Sequence, residues 1–131
     1  MNNVPAKLRR KWREENWRGE VRVCMRADEG NCQGRVTAEH AIIYAGKQLQ
    51  DEWAILWICE FHHAVCNFQD AGDLNKEKHV WIALNRAPEA RLRELSKGEY
   101  KIVLRDRLNA KYGVWSPPLA FNISSINYQL N

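Results

Sequence analysis

The chain has no apolar run long enough to cross a bilayer as a helix, and no apolar stretch follows its first residues, MNNVPAKLRRKWREENWRGE. Neither a membrane span nor a secretory signal is expected, and the expected compartment is the cytoplasm. Cysteine is scarce, with four among 131 residues, too few for a disulfide-dense secreted scaffold. In a reducing compartment Cys24, Cys32, Cys59 and Cys66 are expected as thiols or metal ligands. Repeats and low-complexity tracts are absent, and glycine (7) and proline (4) are sparse, which excludes solenoids and collagen-like chains. What remains is a composition of 45% hydrophobic and 27% charged residues, suited to one globular domain over residues 1–131 with enough chain to bury a core.

The formal net charge is only +4, but it is locally concentrated. Lys7, Arg9, Arg10, Lys11, Arg13 and Arg18 lie close together with Trp12 and Trp17 between them. Cations interleaved with aromatics suit a phosphate backbone. The same stretch also reads as a solvated helix face with two tryptophans turned inward, and charge alone leaves both readings open.

The pattern of elements is mixed. Residues 5–16 read as a basic helix with Pro5 near its first turn. EVRVC, 20–24, alternates like a strand, and MRADEGNCQG, 25–34, is loop chemistry. RVTAEHAII, 35–43, reads as a strand with a turn near Glu39. EWAILWIC, 52–59, is a buried strand or the lead into a helix that runs from Glu60 to about Gln69. Residues 74–86, 88–97 and 99–112 are expected as helices, the last closed by Gly113 as a C′ glycine. The tail, 114–131, is expected to be extended.

The stretch WICEFHHAVCN, 57–67, concentrates metal-binding side chains. On a helix, Cys59, His62 and Cys66 fall on one face, and His63 and Asn67 on an adjacent one. The first set points to structural zinc, with Cys24 and Cys32 supplying two ligands and Cys59 and His62 the other two. Cys66 competes with His62 for the fourth place; the short Cys-x2-His spacing favours His62 and leaves Cys66 unassigned. The second set points to chemistry. Glu39 and His40, adjacent on a strand, face opposite ways. Glu39, with His63 and Asn67, can hold a hard cation such as Mg²⁺ or Mn²⁺ with positions left for phosphate oxygens, while His40 deprotonates water.

AEHAIIYAGKQLQDEWAILWICEFHHAV, 38–65, resembles the core of the HNH endonucleases, the ββα-metal nucleases with a treble-clef-like zinc staple. On that resemblance Glu39–His40 is the acidic-histidine pair of the hairpin and His63 the last histidine, at the start of the helix. The match runs from Cys24 to Asn67, within a core of about residues 20–70. It departs from the family in three places. Ala54 stands where the family has an asparagine that braces the metal loop, with Gln48, Gln50 and Asp51 nearby as substitutes. The Cys24–Cys32 gap is wide. His62 replaces a cysteine.

The resemblance implies an α+β fold and a metal-dependent DNA endonuclease, often encoded by phages or mobile elements. Its partner is then DNA, duplex, nicked or branched. The basic N-terminal segment and Arg86, Arg91, Arg93, Arg105 and Arg107 would add phosphate contacts. Two other readings stand beside it: a zinc-stabilised DNA-binding or regulatory protein without catalysis, and a treble-clef protein adaptor.

Overall fold

A computed structural model describes residues 4–10, 24–63, 71–96 and 100–118, with side chains excepted at 71–75 and 96. The fold is mixed α+β. Its centre is strand β1, Val36–His40, paired antiparallel with a strand at Ile55–Cys59 in the register Val36↔Cys59 to His40↔Ile55. Between them a small hairpin pairs β2, Ile43–Tyr44, with β3, Lys47–Gln48, so the Ile55–Cys59 strand is β4. Its two-residue turn, Ala45–Gly46, has φ of 53° and 78°. Glycine takes that left-handed conformation readily, but alanine takes it at a cost.

The expected break near Glu39 falls later. β1 runs through Glu39, and the chain bends at Ala41–Ile42, where the Ala41 N–H donates to the Ala54 carbonyl at 2.9 Å. Residues 52–59 resolve into a 3₁₀ turn, Glu52–Ala54, and then β4. Every residue of β4 is buried. A continuous apolar run, ILWIC, makes a strand covered on both faces and not an alternating one.

Helix α1 begins at Glu60 directly after β4, and Glu60–His63 is its described part. Its first N–H groups are satisfied by the loop that precedes β1. Glu60 N donates to the Arg35 carbonyl at 2.9 Å and Phe61 N to the Gln33 carbonyl at 3.1 Å. Gly34 is required at this crossing, because a Cβ there would meet the Glu60 side chain at 2.7 Å.

Helices α2 (Ala71–Arg86), α3 (Glu89–Ser96) and α4 (Tyr100–Tyr112) match the three expected segments to within a few residues. The α2 helix packs on β4 and on the turn before it. Ile82 and Leu84 meet Ile55, Leu56 and Ile58 in the core, and Leu92 joins from α3. Arg86 closes α2 over the start of β4, donating to the carbonyls of Trp53 at 3.2 Å and Ile55 at 2.8 Å. Gly113 ends α4 as expected: its φ is 87° and its N–H donates to the Asn109 carbonyl at 2.8 Å. No described helix is long and apolar enough to cross a membrane. Most of the basic N-terminal segment (11–18), the 20–23 part of the first expected strand, Cys66, Asn67 and the tail beyond 118 lie outside the described residues.

Candidate metal centre

Among the described residues, one group of potential ligands converges: Cys24, Cys32, Cys59 and His62, with all four ligand atoms within 4.8 Å of one another. Each arrives for a local reason. Cys59 ends β4 and His62 lies three residues on, in the first turn of α1. Cys24 is pinned against β4, because the next N–H, Met25, donates to the Trp57 carbonyl at 2.8 Å. Cys32 comes from the loop, between the left-handed residues Gly30, Asn31 and Gly34.

The spacing fits a tetrahedral ion. Nδ1 of His62 lies 3.2 Å from the Cys59 sulfur, 3.4 Å from Cys24 and 3.8 Å from Cys32. Zinc bonded to sulfur at about 2.3 Å and to nitrogen at about 2.0–2.1 Å in a tetrahedron puts N and S about 3.5–3.6 Å apart. The wide Cys24–Cys32 gap is no obstacle, since Ala27–Glu29 coils into a 3₁₀ turn within it. Without a cation the thiols are unequal: burial, with the Cys24 and Cys59 charges, pushes Cys32 up to about 12, and burial raises Cys24, while at Cys59 burial is outweighed by hydrogen bonds from the His62 and Gln33 backbone and the pKa is lowered. A divalent ion inverts that logic by stabilising the thiolates. The cluster can therefore hold a metal such as zinc.

The centre is buttressed by a buried polar chain for which the sequence carried no signal. The Arg26 N–H donates to the Cys24 sulfur at 3.3 Å. Its guanidinium clasps Glu29 at 2.6 and 2.7 Å, reaches the His62 carbonyl at 3.5 Å and donates to Nε2 of His79 on α2 at 3.0 Å. Burial favours protonated Glu29, but Arg26 and then Lys78 outweigh it and hold the carboxyl at about 2. Burial, followed by the Arg26 charge, depresses His79 to about 4, so its ring is neutral and accepts.

A second constellation lies one residue further along α1. His63 Nε2 sits 2.8 Å from Glu39 Oε2, and its Nδ1 sits 2.7 Å from the Thr37 hydroxyl. Thr37 and Glu39, two apart on β1, thus share the face that meets α1. The hydrogen bond to Glu39 raises the pKa of His63 despite its burial. His40 engages a different partner, with Nε2 3.1 Å from Gln50 Oε1. Of Gln48, Gln50 and Asp51, Gln50 reaches His40. Asp51 is committed elsewhere, accepting from Arg91 at 2.7 and 3.1 Å and from the Trp53 indole at 3.0 Å. Ala54 is fully buried.

The chain matches no protein-family model, curated protein or solved structure. The assignment of roles therefore rests on the chemistry of the side chains themselves.

The arginines expected at phosphates divide. Arg86 turns inward to backbone carbonyls. Arg91, Arg93 and Arg105 pair with Asp51 and Glu94, with Glu89, and with Glu89 and Asp106 respectively. Arg107, like Lys7, Arg9 and Arg10 at the N-terminus, is exposed.

Proposed function

We infer that the protein is a metal-dependent DNA endonuclease of the HNH type, stapled by zinc at Cys24, Cys32, Cys59 and His62. The observation that carries this reading is the Glu39–His63 pair at 2.8 Å, with His40 next to Glu39 on the same strand. A carboxylate oxygen and an imidazole nitrogen this close are a donor set for a divalent cation such as Mg²⁺ or Mn²⁺. Such a cation neutralises charge developing on a phosphodiester and its leaving oxygen.

The chain's own groups would do the rest. His40 takes the proton of the attacking water, acting through Nδ1, the ring nitrogen that Gln50 does not engage. Gln50 holds that ring, a task for which Ala54 has no polar atom. The exposed Lys7, Arg9, Arg10 and Arg107 are available for phosphates. Ala54 also favours a second reading, a zinc-stabilised DNA-binding protein without catalysis.

Cleavage of supercoiled plasmid by wild type and His40→Ala, with Mg²⁺, Mn²⁺ or EDTA, tests the proposal. The expected result is metal-dependent nicking or linearisation that falls by about 10²–10⁴-fold in His40→Ala. DNA binding by zinc-loaded wild type with no cleavage of plasmid or branched DNA would favour the second reading.

A further inference from the structure

The Thr37 hydroxyl has a single proton, and its geometry says where that proton goes. Thr37 stands directly across from Ile58 in the β1–β4 register, and its hydroxyl donates to the Ile58 carbonyl at 2.9 Å. The same oxygen lies 2.7 Å from Nδ1 of His63. A hydroxyl that has given its proton to a carbonyl can only accept from its other neighbour, so the proton in that second bond belongs to Nδ1. A neutral imidazole has one N–H and one lone pair. With the N–H at Nδ1, the lone pair is at Nε2, the nitrogen 2.8 Å from Glu39 Oε2. Two acceptors at that distance repel each other unless positive charge lies between them: with no metal bound that charge is a second ring proton, on Nε2, donated to Glu39 in the hydrogen bond described above, and a divalent cation would take its place.

We propose that Thr37 is a positioning residue that keeps His63 in its Nδ1–H form, aiming the Nε2 lone pair and the Glu39 carboxylate at one shared cation. The proposal rests on the reading of Glu39 and His63 as a cation seat. It assigns that seat an outer partner drawn from β1. Valine has the shape of threonine but neither donates nor accepts. Serine keeps the hydroxyl that links Ile58 to His63.

The experiment is Mn²⁺ binding to the zinc-loaded protein, followed by the electron paramagnetic resonance of free Mn²⁺, for wild type, Thr37→Val and Thr37→Ser. Loss of an outer partner of a metal-bound histidine weakens metal binding by about 10–100-fold. That loss is expected in Thr37→Val, with recovery in Thr37→Ser. In parallel, nuclear magnetic resonance of the Mg²⁺-loaded wild type should show the His63 ring proton on Nδ1, close to Thr37. That second reading stands even if Thr37→Val folds poorly. Equal Mn²⁺ affinity in wild type and a folded Thr37→Val, or a ring proton on Nε2 in the loaded wild type, would overturn the role of Thr37 alone. No Mn²⁺ binding by wild type would instead overturn the cation seat, and the role of Thr37 with it.

Discussion

His79 offers a stability measurement that isolates the brace beneath the metal centre. The ring is buried, with 3% of its surface exposed, and accepts a hydrogen bond from Arg26. Burial penalises the charged ring, and protonation would also set an imidazolium against the Arg26 guanidinium, so the pKa falls from 6.5 to about 4. Above pH 6.5 the ring is neutral whether the chain is folded or not, so the stabilisation is complete. Between 6.5 and about 4 the unfolded chain takes up a proton that the folded one refuses, and stability falls with pH. At about 1.4 kcal/mol per tenfold change in proton affinity, the drop from pH 7 to 5 is roughly 2 kcal/mol, and the full loss roughly 3 kcal/mol. His79→Gln keeps an acceptor for Arg26 but cannot titrate. Urea unfolding of both proteins from pH 7 to 5, with zinc in excess, should show the gap between them narrowing by about 2 kcal/mol as pH falls. Losses from the shared carboxylates and zinc ligands cancel in the difference. Parallel stability curves would refute the assignment of a neutral, buried His79.

Removal of one thiolate should be far more damaging. Structural zinc sites bind with about 10–16 kcal/mol, comparable to the roughly 5–15 kcal/mol that holds a whole domain together. Cys59→Ser should therefore lose the single zinc atom expected by elemental analysis and melt well below wild type; an unchanged melting temperature would contradict the structural role. Gln50→Leu should leave melting and DNA affinity as they are and lower the cleavage rate by about tenfold or more, since a misaligned base forfeits part of the gain of general-base catalysis. A rate equal to wild type would remove Gln50 from the site.

Much of this protein is determined by local sequence. The ILWIC run dictates burial on both faces, as a strand or as the lead into a helix, because five successive apolar side chains leave no polar face; pairing with β1 makes it a strand. Pro88 and Gly113 punctuate the helices because one cannot continue a preceding helix and the other accepts a left-handed φ. Cys59 and His62 are legible as ligands because a strand end and the first helical turn fix their separation. Tertiary structure decided what spacing could not. It brought Cys24 and Cys32 to that pair through a coiled loop, and Glu39 to His63 through the β1–β4 register. It moved the bend beyond Glu39, committed Asp51 to Arg91, and turned Arg86 inward to carbonyls. It also placed Thr37, Arg26 and His79 in contacts that no motif marks. A hydrogen bond depends on which groups the packed elements bring within about 3 Å. For partners distant along the chain, that is a property of register and packing, and neither is written in any one stretch of residues.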